Sequence, residues 1–127
     1  MNLEKVIFGF FILLAATLNF GFVYGDIEVA SHHEANELFA AVVVNVIATV
    51  LKFGDRTQLG AVHLATSLVA VLQLLAATVL WFFAARDGDG TIAPAQMASI
   101  VSLAAGAVFA NVVSVIMLVA ETLALRR

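Results

Sequence analysis

The chain has 127 residues, no cysteine and a formal net charge of −3, and 63% of its residues are hydrophobic. Soluble domains are only about 45–50% apolar, and a soluble protein as small as this chain could not bury so much apolar surface in its core. The absence of cysteine excludes a disulfide framework and a thiolate metal site, and the acidic balance gives no reason to expect nucleic-acid binding. The composition therefore predicts an all-α integral membrane protein with lipid around it.

Four apolar stretches are each long enough to cross a bilayer, which takes about 20 helical residues. They cover residues 3–24, 36–53, 58–85 and 95–125. We expect the first stretch to be a retained span and not a cleaved signal peptide. The chain is thus predicted to be a single transmembrane domain, residues 1–127, with four transmembrane helices.

The basic residues fall almost entirely on one side of these spans. Five of the six lie at the N-terminus, in the middle loop or at the C-terminus: Lys5, Lys52, Arg56, Arg126 and Arg127. Lys and Arg accumulate on the cytoplasmic side of a membrane. Both termini are therefore predicted to be cytoplasmic, in a membrane of the bacterial inner type, and six of the nine acidic residues fall outside.

Two pairs of short segments indicate an internal duplication. The matching segments are residues 13–17 with 74–78, and residues 40–48 with 106–114. The second match aligns Asn45 with Asn111. We interpret the chain as two tandem helical hairpins, 1–57 and 58–127, which descend from one unit or converged on one packing scheme. Such parallel repeats would be related by an axis along the membrane normal.

Three amide side chains, Asn45, Gln73 and Asn111, sit near the middles of the second, third and fourth spans. An unsatisfied amide in hydrocarbon is costly, so such groups normally face a partner helix or a water-filled path. Uncharged polar groups are therefore expected at one depth within the bilayer.

A polar and small face follows the second span, in which Glu37, Asn45 and Thr49 lie at helical spacing and Glu34 extends the stripe outward. Carboxylates concentrate cations at a pore mouth, and amide carbonyls can replace part of the hydration shell of an ion. This pattern predicts a cation path in an oligomer, through Glu34, Glu37, Asn45, Thr49, Gln73 and Asn111. Alternatively, the acids sit in headgroup water and Asn45 bonds a neighbouring helix.

Small residues recur every four positions along the fourth span: Ala98, Ser102, Gly106, Ala110 and Ser114. Small side chains let two helix backbones approach closely within a membrane. The stripe predicts a helix-packing interface, either within the chain or between subunits.

His63 lies on a third polar face, near the cytoplasmic end of the third span. A histidine in this position could relay protons or sense pH, or it could bond the backbone of a neighbouring helix. The span has no acid or base at its middle, which argues against a proton-coupled pump.

Two outer segments contain possible metal ligands. His33 and Glu37 are spaced so that one helical turn could bring both to one ion, although acids at a helix N-terminus are also favoured by the helix dipole. Residues 87–92, Asp-Gly-Asp-Gly-Thr-Ile, resemble the middle of an EF-hand calcium loop. That resemblance implies an outer site for calcium or another divalent cation on Asp87 and Asp89, while a tight turn between two helices gives the same sequence. No other cofactor is expected.

No catalytic motif or nucleophile–base pair is present, so we do not expect an enzyme. Two hypotheses remain. The first is a homo-oligomeric cation channel or facilitator with an acidic outer mouth and an amide-lined middle. The second is a non-conducting accessory or assembly subunit that docks its small-residue helix faces on a larger membrane protein.

Overall fold

The part of the chain that the structure describes folds into four α-helices. A computed structural model describes residues 3–25, 33, 35–53, 57–86 and 92–125. The helices are α1 (Leu3–Val23), α2 (Ala35–Lys52), α3 (Gln58–Arg86) and α4 (Pro94–Leu125). The all-helical prediction is confirmed, and each helix begins and ends within one residue of its predicted span. All four helices are long and apolar enough to cross a membrane.

Local chemistry explains where the helices begin and end. α1 is followed by Gly25, whose φ of 111° is the left-handed conformation that commonly terminates a helix. The hydroxyl of Thr57 caps α3 by accepting a hydrogen bond from the Gly60 amide at 2.9 Å. Pro94 occupies the first position of α4, where its missing N–H has no helical partner to lose.

The helices form an up-and-down bundle in which each helix packs against its neighbours in sequence and α4 closes the ring on α1. α1 is therefore diagonal to α3, and α2 is diagonal to α4. Lys5 on α1 forms an ion pair with Glu121 on α4, and the Lys52 ammonium at the end of α2 lies over the Phe8 ring on α1. These contacts show that the start of α1 and the end of α4 lie on one side of the bundle, here called the termini side.

The core is built from one narrow stripe of each helix. On α1 the buried residues recur every three or four positions: Phe8, Ile12, Ala15, Asn19 and Phe22. Alanines fill much of the centre, with Ala48, Ala70 and Ala107 completely buried. Small core residues allow the close helix approach that packing in an apolar solvent requires. Many other large apolar residues point outward, as with Phe109, which is 73% exposed.

The segments 40–48 and 106–114 show the same burial at every aligned position. Asn45 and Asn111 are both buried within them. α2 and α4 thus present equivalent faces to the bundle axis from diagonal positions. The other pair of matching segments does not share a burial pattern, because the residue aligned with the exposed Leu13 is the buried Leu74. The duplication stays a hypothesis.

We expect Phe8→Ala to lower the free energy of unfolding by about 3–5 kcal/mol, the usual cost of truncating a packed phenylalanine. The matched control is Phe10→Ala, since Phe8 is 1% and Phe10 61% exposed on the same helix. The control should change stability by less than about 0.5 kcal/mol. Thermal unfolding in detergent measures both, and equal losses would contradict the arrangement of α1.

Candidate functional site

Contacts along the helices bring Asn45 and Asn111 to the same level of the bundle. On α2, Asn45 lies midway between Glu37, which packs against Gly21, and Lys52, which covers Phe8. On α1, the residue midway between Phe8 and Gly21 is Ala15. On α4, Asn111 lies between Gly106, which contacts Gln73, and Ser114, whose hydroxyl meets that of Thr66. On α3, Ser67 and Ala70 lie in the corresponding stretch, between Thr66 and Gln73.

These contacts define a polar level that we call the amide layer, formed by Asn45, Ser67 and Asn111. All three side chains are at most 1% exposed. Asn45 donates from Nδ2 to the Ala41 carbonyl of its own helix at 2.8 Å. The Thr49 hydroxyl donates to the Asn45 carbonyl, also at 2.8 Å. Asn45 therefore turns its Oδ1 away from its own helix backbone.

Several polar atoms of the amide layer have no hydrogen-bond partner among the described residues. They are Asn45 Oδ1, Ser67 Oγ, and both Oδ1 and Nδ2 of Asn111. Each buried and unsatisfied polar group costs about 1–3 kcal/mol. An amide with purely structural importance would be expected to use its hydrogen-bonding capacity within the fold. The amide layer can therefore bind a polar ligand.

The amide layer is electrically neutral and otherwise lined by methyl groups. Ala15 and Ala70 occupy its level on α1 and α3, and both are completely buried. Between Glu37 and Lys52 at its two ends, none of the four helices contributes a charged residue to the middle of the bundle. Any species held here would meet neutral oxygens.

Asn19 is a third buried amide beside Asn45 and Asn111, and the sequence pattern alone did not single it out. With its amide oriented to satisfy both groups, Nδ2 donates to the Ala104 carbonyl and Oδ1 accepts from the Val108 amide, each at 3.1 Å. These two groups are hydrogen-bonding partners within a regular α-helix. Asn19 therefore ties α1 directly to the backbone of α4, in contrast to Asn111.

Aromatic and cationic side chains close the core on the termini side. The Lys52 ammonium lies 4.4 Å from the centroid of the Phe8 ring, and the His63 ring meets the same ring edge-on at 5.0 Å. All three residues are buried. A cation over an aromatic face is stabilised by the ring quadrupole. We call Phe8, Lys52 and His63 the Phe8 cluster.

The small-residue stripe of α4 is only partly covered within the chain. Ala110 and Ser114 are buried, Ala98 is half-buried and Ser102 is exposed. Gly106 makes room for the end of the Gln73 side chain on α3.

Gln73 is half-buried and lies at the level of Gly106, more than one helical turn along α4 from Asn111. The structure thus groups two of the three predicted amides, Asn45 and Asn111, and sets Gln73 apart from them.

On the side opposite the termini, Glu37 is half-buried against Gly21. His33 is buried, and its Nδ1 lies 2.5 Å from the Phe22 carbonyl oxygen. Among the described residues, no group of three or more histidines and carboxylates could hold a metal ion. Glu34, Asp87 and Asp89 lie outside the described residues.

Sequence reasoning missed Asn19 and the pairing of Lys52 with Phe8. The signal for Asn19 was present, because Phe8, Ile12, Ala15, Asn19 and Phe22 follow helical spacing. No comparable signal marked Phe8, since α1 contains several phenylalanines and only packing decides which one is buried.

A family model described as a family of unknown function (DUF6394) matches residues 32–122, which is 91 of the 127 residues. The match includes α2, α3 and most of α4, with every residue of the amide layer. No curated protein and no solved structure shows a significant match to the chain.

Substituting the two contrasting asparagines should have different effects on stability. Asn19→Leu removes two bonds to α4 and should lower the free energy of unfolding by about 1–2 kcal/mol. Asn111→Leu has a similar volume and loses no described hydrogen bond, so in a buffer without metal cations its stability should be equal to or above that of the natural chain. Unfolding followed by the fluorescence of Trp81 measures both. Equal destabilisation would show that Asn111 has a structural partner.

Proposed function

The chain belongs to the DUF6394 family, and because that family has no known function, we propose one from the core of this chain: a membrane-spanning cation channel or facilitator. The observation that carries the proposal is the amide layer, whose amide and hydroxyl oxygens are buried in an apolar bundle without a hydrogen-bond partner among the described residues. Such polar groups at membrane depth are typical of ion and substrate pathways.

The path that we propose runs within one chain, along the bundle axis. Glu37 stands at the outer end of the path and attracts cations, as carboxylates at a pore mouth do. The amide layer follows, where neutral oxygens replace part of the hydration shell. The burial of Asn45 and Thr49 inside a single bundle supports this location over a space between copies.

The Phe8 cluster forms the inner end of the proposed path and keeps it shut in this conformation. Phe8 is buried between Lys52 and His63. Passage requires Phe8 to move aside and Lys52 to swing into water, which its position at the last residue of α2 allows. Barriers of this kind are typical of gated pores with hydrophobic constrictions.

The proposal includes a bacterial-type inner membrane, both termini in the cytoplasm and association into a homo-oligomer. The four helices that are long and apolar enough to span support the membrane setting. The positions of Lys5 and Lys52, on the side that holds both ends of the chain, support the orientation.

The alternative function is a non-conducting accessory or assembly subunit of a larger membrane complex. Its support is the part of the α4 stripe that other helices leave open, above all Ser102. Gly106 is a poor probe of this docking, because a larger residue there would disturb Gln73 on α3. A purified chain that folds but conducts no ions would favour this alternative.

Orientation can be tested with single cysteines, because the chain has none of its own. Arg86→Cys and Phe53→Cys place a thiol at exposed positions on opposite sides of the bundle. In intact cells a membrane-impermeant maleimide should label Arg86→Cys, and it should label Phe53→Cys only after lysis. The reverse pattern would invert the proposed topology.

Flux through the proposed path should depend on the buried face of α2. Asn45→Leu should reduce cation flux in liposomes at least tenfold, because it removes an oxygen from the amide layer, and Glu37→Gln should reduce it by a smaller factor. Val50→Leu is the control, since Val50 is 66% exposed on the same helix. Unchanged flux in both variants, or no flux through the natural chain, would contradict the channel.

A further inference from the structure

We propose that the amide layer is a binding site for a dehydrated or partly hydrated monovalent metal cation, of the size of Na⁺ or K⁺, and that it discriminates against divalent cations. This inference rests on the proposed function for the role of the cation, but binding itself does not require transport. It assigns a ligand to Asn45, Ser67 and Asn111.

Three oxygens are available for a cation in the amide layer. Asn45 Oδ1, Ser67 Oγ and Asn111 Oδ1 are buried and have no partner among the described residues. They come from α2, α3 and α4, and Asn45 and Asn111 approach the axis from diagonal helices. Hard cations select such amide and hydroxyl oxygens.

The remaining unpaired atom of the layer, Asn111 Nδ2, is a donor and indicates that the cation keeps a water molecule. A water oxygen can coordinate the ion with one lone pair and accept from Nδ2 with the other. The completely buried Ala15 and Ala70 offer no competing polar group at this level. A metal cation with one water can therefore contact all four of these atoms, which are enclosed in this conformation, so entry of the ion requires the helices to move apart.

The absence of charge in the amide layer selects for a monovalent ion. Protein sites for Ca²⁺ and Mg²⁺ use carboxylates to offset the cost of dehydrating a doubly charged ion. Neither the layer nor the middle of the four helices contributes a carboxylate. A monovalent ion has a much smaller dehydration cost, which neutral oxygens can meet, as in potassium channels.

The test is cation-dependent thermal stability of the full chain in detergent. Trp81 is the only tryptophan, and its packing against Phe22 makes its fluorescence a probe of unfolding. Starting from choline chloride, replacement by NaCl or KCl at constant ionic strength should raise the Tm in a saturable way. At ten times the Kd the rise should be about 5 °C. MgCl₂ and CaCl₂ should produce no such rise.

Ser67→Ala supplies the first variant, because it removes one oxygen and little volume. It should weaken the apparent cation affinity at least fivefold, while the matched control Ser102→Ala, at an exposed position of α4, should leave it unchanged. Asn111→Leu should abolish the cation-dependent rise. Asn111→Asp adds a carboxylate and should make the Tm respond to Ca²⁺.

Several outcomes would overturn the inference: no rise with Na⁺ or K⁺, a larger rise with divalent ions, or a full rise in Asn111→Leu. A layer that holds only water would give the first of these. Saturable binding without liposome flux would support the binding site and remove the channel. Flux without any monovalent binding would support the channel and remove this site.

Discussion

An amide buried in an apolar helical bundle must be satisfied inside that bundle, and this constraint organises the core of the protein. Asn19 meets it by bonding the backbone of α4. Asn45 meets it in part, through the Ala41 carbonyl. Asn111 finds no partner among the described residues. Asn19 therefore fixes helix packing, and Asn111 keeps hydrogen-bonding groups that a polar ligand can use.

The close approach of the helices follows from the size of their core residues. Alanines such as Ala15 and Ala70 keep the centre narrow, and large apolar side chains cover the outside, with Phe109 as an example. The many exposed large apolar side chains depart from the usual surface of soluble bundles and fit an apolar solvent, in which packing and not hydrophobic exclusion joins the helices. Asn45 and Asn111 are buried in this core on the diagonal helices α2 and α4.

The two ends of the core differ in chemistry. On the termini side, Phe8 lies between a buried lysine and a histidine, which places an aromatic ring and a cationic side chain at that end of the core. At the opposite side, Glu37 is only half-buried beside Gly21. The asymmetry gives the proposed path an acidic outer end and a cationic inner end.

The sequence by itself determined the four helices and their limits, because span length and hydropathy are local properties that each segment expresses alone. It also marked Asn45 and Asn111 as exceptional residues in apolar runs. Only the tertiary structure decided that these two amides share a level while Gln73 lies apart, and that Phe8, among many phenylalanines, closes the core. Such choices depend on the register and rotation of each helix against its neighbours, which side-chain packing across the whole bundle sets and no single segment encodes.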